Sequence, residues 1–400
     1  MKLDTKTFRI TDPGSFGSRA LIVGVLGLAA SAAGYFVNHE QFFHSYLTAF
    51  VFWVTLGLGA LFFTMIHHLV DAEWSVALRR VLESAMVTLP LLVVFFIPIA
   101  FGMHDLFEWT HAEVVAVDPL LVGKSPYLNT TFFFARAAGY FVIWFLLTRA
   151  LYKRSIKQDT SNEKGQKIRM RQISAPGMVL FGFTITYAAF DWLMSLSPHW
   201  YSTIFGVYIF VGSLLGSLAF VTLFLLYLRG KGVLGDRITV EHYHDLGKFQ
   251  FAFVIFWAYI AFSQYLLIWY GNIPEETSWF LARWVGSWKG MSILIIFGHF
   301  LFPFFLLVTR AAKRSLKLLA FVGFWMLFIH WIDLYWVILP NMTGHGAEAP
   351  GGFSLSWMDL TTMLGIGGVF LWLFWKRFTS QPVVPVNDPK LEASFNFVNG

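Results

Sequence analysis

The chain is 400 residues long, 57% hydrophobic, 19% aromatic and only 13% charged, with no cysteine and a formal charge of +6. So apolar a composition excludes an ordinary soluble domain, and the missing thiols exclude an iron–sulfur cluster, a c-type haem attachment or a disulfide on this chain. The positive charge does not point to nucleic acid, because its distribution reads as membrane topology instead.

Apolar runs long enough to cross a bilayer, about 20 residues each, fall near 20–37, 46–66, 84–103, 129–151, 175–197, 203–228, 249–270, 286–309, 317–338 and 357–375. They predict an all-α integral membrane protein of ten helices in a single transmembrane domain over 1–400. The first run, "LIVGVLGLAASAAG", has the short core and A-x-A-like site of a secretory signal; nine further spans make the chain an integral protein whether or not it is cut. With the N-tail (1–18) and C-tail (376–400) both on the cytoplasmic side, 25 of the 29 lysines and arginines lie inside. Lys124, Arg283 and Lys289 lie outside and Arg136 lies within a span. That asymmetry orients the chain and allows contact with anionic lipid.

An internal repeat organises the spans. The fourth ends "FLLTRALYKRS" and the eighth "LLVTRAAKRS"; the next helices carry "DWLMSLSP" and "DLYWVILP", each with an aspartate seven residues before a proline. Four helices separate the copies, and an even number preserves orientation. The expected units are therefore parallel four-helix bundles, helices 2–5 (46–197) and 6–9 (203–338), flanked by helices 1 and 10.

These features, with "HHLVDAEWSVALRRVLE", "AFDWLMSLSPHWYSTIFGVY" and "GKFQFAFVIFWAYIAFSQYLLIWYGNIPEET", resemble the NrfD/polysulfide-reductase membrane-subunit superfamily, and within it the shorter such subunit of bacterial alternative complex III. The resemblance covers nearly the whole chain. It implies a bacterial inner-membrane, quinol-oxidising respiratory complex. The implied partners are a larger NrfD-like membrane subunit, an iron–sulfur subunit and multihaem cytochrome c subunits. Haem c and clusters would then belong to the partners, with no cofactor on this chain and quinone contact left open.

Ionisable groups at membrane depth cost about 3 kcal/mol or more each on insertion scales, which makes them functional candidates by default. By helical rise, Asp191 and Arg136 lie about 9 and 10 Å from the outer ends of their helices, level enough to pair. Asp333 occupies the matching place in the second unit, where "IIFGHFLFPFF" offers His299 instead of an arginine. His330 and Asp333 share a helix face at i, i+3, and His299 is expected deeper, about 20 Å down. Asp333, His330 and His299, with Ser263 and Gln264, are thus expected to form a descending proton ladder. His67 and Asp71, at i, i+4, and Glu83 are candidates for an entry half on the inner side; the competing reading is an interfacial loop that neutralises its own charge. A b-type haem between His299 and His330 is disfavoured by the crowd of phenylalanine and tryptophan around them. Trp192, Trp200, Trp269, Trp279, Trp284, Trp288, Trp336 and Trp357 read as an outer belt or partner surface, and Asp105, Glu108 and Glu113 as an acidic docking segment. The expected function is a proton path serving quinol oxidation in the partners. Direct quinol binding at Arg136, Asp191 and His330, a stand-alone secondary transporter and a structural scaffold are the alternatives.

Overall fold

The computed structural model describes residues 1–4, 6–161, 165–235, 237–342 and 352–398; residues 162–164 of the basic loop and the last two of the C-tail lie outside that set. Among the described residues ten helices are long and apolar enough to span a membrane: α1 Phe16–Val37, α2 His39–Leu69, α3 Arg79–Phe101, α4 Thr130–Thr160, α5 Gly165–Leu196, α6 Phe205–Gly230, α7 Val240–Gly271, α8 Trp288–Leu307, α9 Leu316–Asn341 and α10 Trp357–Thr379. The protein is an all-α, multi-pass membrane protein. Its only described sheet is a two-stranded antiparallel hairpin, β1 Lys2–Asp4 and β2 Arg9–Asp12, before α1.

Local chemistry explains the boundaries. Helix starts leave backbone N–H groups without intrahelical partners, and short polar side chains supply the acceptors. Asn38 caps α2 through Gln41 N, Asn129 caps α4 through Phe132 N, and Thr239 and Ser356 open α7 and α10 with capping boxes. The Asn38 cap explains why α2 begins at His39 rather than near residue 46: the polar turn "NHEQ" is the helix start, which a hydropathy window cannot see. Likewise α3 reaches back to Arg79, because its charged first turn is buried by ion pairs.

Helices α2 and α6 form the centre, each with 83% of its most apolar window buried. Helix α2 packs against α1, α3, α5, α6, α9 and α10, and α6 against α2, α5, α7 and α9. The aspartate-bearing helices α5 and α9 therefore each touch both central helices. Their proline-ended tips meet, Ser197 Oγ donating to Asn341 Oδ1 at 2.5 Å. Hydrocarbon provides no hydrophobic drive between helices, so close backbone approach through small residues does the work. A Cβ on Gly27 would lie 2.6 Å from Gly365 N, one on Gly368 2.3 Å from Gly24 N, and one on Gly59 2.3 Å from the Ser213 carbonyl oxygen. The first two lock α1 onto α10 and the third locks α2 onto α6.

Both termini lie at one end of the bundle, hereafter the terminal end. The segment after α10 is no free tail. Val383 N donates to the Phe8 carbonyl (2.9 Å), Ser394 Oγ binds the α2–α3 loop through Ala77 N and the Trp74 carbonyl, and the Ser394 carbonyl accepts from His242 on α7. This strap crosses the terminal ends of several helices.

Candidate functional site

The first aspartate is fully engaged. Asp191, 1% exposed, accepts two parallel bonds from Arg136, Nε to Oδ2 at 2.8 Å and Nη2 to Oδ1 at 2.9 Å. Tyr127 Oη donates to Oδ1 at 2.9 Å and Tyr140 Oη to Oδ2 at 2.7 Å. Arg136 in turn donates to the Tyr127 carbonyl and lies over the Tyr127 and Phe132 rings, at 3.8 and 4.3 Å from their centroids. A bidentate fork matched to a carboxylate is the geometry that offsets desolvation of both ions. The expected pairing is what the side chains make, and Tyr127 and Tyr140 are partners that helix spacing alone did not suggest.

The second aspartate has no such cation. Asp333 on α9 is buried; Tyr208 Oη on α6 donates to its Oδ1, and Trp257 Nε1 on α7 donates to its Oδ2 at 3.3 Å. His299 Nε2 on α8 lies 3.7 Å from the same Oδ2. Its imidazole stacks on Trp257 with centroids 3.8 Å apart and planes 11° from parallel. One turn back on α9, His330 Nε2 sits 2.9 Å from Thr55 Oγ1 on α2. Two glycines of α6 make room for that ring: a Cβ on either Gly212 or Gly216 would come within 3.1 Å of it. The site thus takes one or more residues from each of α2, α6, α7, α8 and α9.

Helix α8 presents His299 from a wide turn. Residues Ile296–Leu301 are π-helical, a distortion common at functional positions. Pro303 lacks the N–H that would bond back into this turn, and Trp325 Nε1 on α9 takes up the Gly298 carbonyl at 2.7 Å. The expected depth ladder is corrected here. Helix α8 starts at Trp288, later than the hydropathy window suggested, and a π turn advances less per residue. His299 therefore comes level with its partners: one ligand atom from each of His299, His330 and Asp333 lies within 4.8 Å of the others. The three form a cluster, not a descent. Gln264 and Ser263 are not drawn into it; Gln264 Oε1 accepts from Ser202 Oγ at 3.0 Å, and Ser263 is half-buried on α7.

Chemically, two imidazoles and a carboxylate can pass a proton or hold a small divalent cation. The ring nitrogens decide how reactive the cluster is. His299 Nδ1 and Nε2 and His330 Nδ1 are buried without a protein hydrogen-bond partner, and such groups call for an explanation. A porphyrin finds no opening, since Trp257 lies flat against His299 while the α6 backbone approaches His330.

At the terminal end the sequence candidates separate. Helix α2 ends at Leu69 and Asp71 follows in the left-handed region (φ 52°), so His67 and Asp71 do not share a helical face. His67 is buried beside Phe63 and Trp74, both ring nitrogens unpartnered. Asp71 pairs with Lys167 and, at 2.9 Å, with Lys390 of the strap. Burial raises its carboxyl, but the two ammonium groups outweigh this and hold it below the ordinary 3.8. Glu83 accepts a hydrogen bond from Arg80 at 2.9 Å and forms an ion pair with Arg79 at 3.2 Å, while Arg79 also meets Asp388 and Arg80 meets Asp159. The self-neutralising arrangement describes this group.

At the opposite end, five of the eight tryptophans face inward rather than forming a belt. Trp192, Trp200, Trp279, Trp288 and Trp336 are buried, whereas Trp269, Trp284 and Trp357 are exposed. Trp200 and Trp279 stack at 4.4 Å, and Arg283 lies over Trp279 at 3.5 Å. Arg283 is buried and binds the Trp336, Val337 and Trp279 carbonyls, an anchor for the end of α9 that its loop position concealed. The acidic segment meets histidines: Asp105 bonds His39, Glu113 lies 3.4 Å from His111, and His199 joins Asp118 (2.5 Å) to Glu108 (4.0 Å). The Asp118 carboxyl is held low by its His199 hydrogen bond.

Fold and site together define a class: a ten-span helical membrane protein with a buried histidine–aspartate cluster at the junction of five helices. No family model and no curated protein matches the chain.

Proposed function

We propose that this chain is the proton-conducting membrane subunit of a bacterial inner-membrane, quinol-oxidising complex of the alternative complex III type. In this reading haem c, iron–sulfur clusters and the quinol site belong to partner subunits. The observation that carries it is the contrast between two buried aspartates. Asp191 is locked by a bidentate arginine and two tyrosines, while Asp333 faces two imidazoles with unpartnered nitrogens. A group that keeps its charge permanently compensated cannot relay protons; one without a fixed cation beside titratable rings can. The basic terminal end is placed in the cytoplasm.

The residues considered for direct quinol contact do not make one site. Arg136 and Asp191 exhaust each other with Tyr127 and Tyr140, and His330 belongs to the other cluster. No step is therefore assigned to quinol on this chain. The test is proton release per electron in sealed vesicles carrying the native assembly. Asp333→Asn should lower the stoichiometry while uncoupled electron transfer continues. An unchanged ratio in Asp333→Asn refutes the proton path, and a ratio abolished by Asp191→Asn alone shows that the two units have been assigned the wrong way round.

A further inference from the structure

A cleft of about 570 Å³ opens between α1, α6 and α10 at the terminal end, within the size range of small-ligand sites. It is far from neutral in character. Arg19 and Lys231 stand on its rim, no carboxylate among the described residues lines it, and its interior is formed by Val23, Trp53, Leu364 and the bare backbone at Gly367 and Gly368. Neither cation has an acidic partner within salt-bridge distance among the described residues. Asp12, seven residues before Arg19, is occupied, its Oδ1 accepting from Gly14 N at 3.0 Å and its Oδ2 lying 3.8 Å from the terminal amine.

Length distinguishes the occupant. Arg19 lies in the first turn of α1, at the terminal surface, whereas Leu364 lies about 22 Å from the terminal end of α10 at the usual rise per residue. The cleft therefore runs from two surface cations into apolar wall at mid-bundle depth. Helix α1 is also the least buried of the spans, with 22% of its window covered, so the cleft lies beside a face that meets lipid. A free anion would use only the rim. An amphiphile with an anionic head and a hydrocarbon tail uses both ends.

We infer that this cleft is a binding site for one anionic phospholipid, its phosphate between Arg19 and Lys231 and an acyl chain along Val23 and Leu364 over the floor made by Trp53 and Gly367. The cationic pair supplies the headgroup preference, because each basic residue near a membrane surface contributes on the order of 1 kcal/mol toward anionic lipid. The Trp53 indole is fixed in that floor by donating Nε1–H to the Met363 carbonyl at 3.1 Å. It cannot also move aside to close the cleft without losing that bond.

The experiment is native mass spectrometry of the full chain from nanodiscs containing phosphatidylglycerol or phosphatidylcholine, with a parallel melting series in inorganic phosphate. Wild type should retain phosphatidylglycerol as a discrete adduct. Arg19→Gln/Lys231→Gln should lose about thirtyfold in its affinity, and Val23→Trp, which fills the tail channel without touching charge, should lose it as well. Retention of the adduct by the double glutamine variant, or equal retention of the two lipids by wild type, overturns the proposal. Stabilisation by inorganic phosphate equal to that by phosphatidylglycerol overturns it too, by reducing the site to its rim. A folded Val23→Trp variant that keeps full lipid affinity removes the tail channel from the argument and with it the assignment.

Discussion

Removing one member of the Arg136–Asp191 pair should cost much more than removing its charge altogether. In Arg136→Met the Asp191 carboxylate, 1% exposed, loses two charge-assisted bonds and keeps only the donors from Tyr127 and Tyr140. Orphaning one ion of a buried pair costs about 3–5 kcal/mol; the retained tyrosines place this variant at the lower end, about 3 kcal/mol. In Asp191→Asn the guanidinium keeps the Tyr127 carbonyl and two aromatic faces, for an expected loss of about 2 kcal/mol. The double variant leaves no charge, and the asparagine oxygen still accepts from a tyrosine. Its loss should be only about 1–2 kcal/mol, a coupling of roughly 3–4 kcal/mol. Denaturant-induced unfolding in mixed micelles, followed by tryptophan fluorescence, gives all four corners of the cycle. Additive losses would show that the pair is not energetically coupled, and the contrast between the two aspartates would then lose its basis.

Other outcomes follow from the same geometry. Gly212→Val should displace the His330 ring, which a Cβ already approaches at 3.1 Å, and alter proton release more than it alters assembly; an unchanged imidazole NMR signal and unchanged release would show that the ring is not seated there. Gly27→Leu should prise α1 from α10 at a cost of about 1–3 kcal/mol, measured as a lower melting temperature, whereas Gly139→Ala, with open space around it, should be neutral. The strap should respond to acid through Asp71. A carboxyl held below its unfolded value contributes stability above about 3.8 and loses it as the pH falls through the lower folded value. Hydrogen exchange of residues 388–398 should therefore be constant from pH 8 to 5 and rise only below about 3.8; release near pH 6 would assign the latch to another group.

Hydropathy was sufficient for the ten spans because a bilayer forces every backbone polar group into helix and every span toward similar length. It failed at the ends, where polar side chains begin helices: the Asn38 cap and the buried Arg79–Glu83 turn are invisible to an apolar window. Periodicity placed Arg136 beside Asp191 and His330 beside Asp333 because both relations depend only on rise and turn. It misjudged His299 because a π turn and Pro303 break the regular rise on which the depth estimate rested. Tyr208 and Trp257 left no signal at all, since nothing in one helix reports which rings face it from two others. The small residues at Gly212 and Gly216, four apart, could have suggested a close approach, but not to which imidazole. The anchoring role of Arg283 left no signal for a related reason: nothing in a loop arginine reports which carbonyls receive it.

The two aspartates share a frame and differ in what surrounds them. Both stand seven residues before a proline, on helices that touch the same two central helices, so the backbone asks the same of each. What differs is the donor set. A guanidinium cannot surrender its proton in a protein, so Arg136 gives Asp191 a fixed charged partner. A tyrosine and an indole supply Asp333 with neutral donors, and His299 Nε2 stands 3.7 Å from its Oδ2 where the first unit has a guanidinium. On the proposed reading, a histidine in place of the arginine on the neighbouring helix is what lets the second aspartate exchange a proton. It follows that introducing a guanidinium beside Asp333 should silence the second cluster while stabilising it, and stability and proton release should then move in opposite directions.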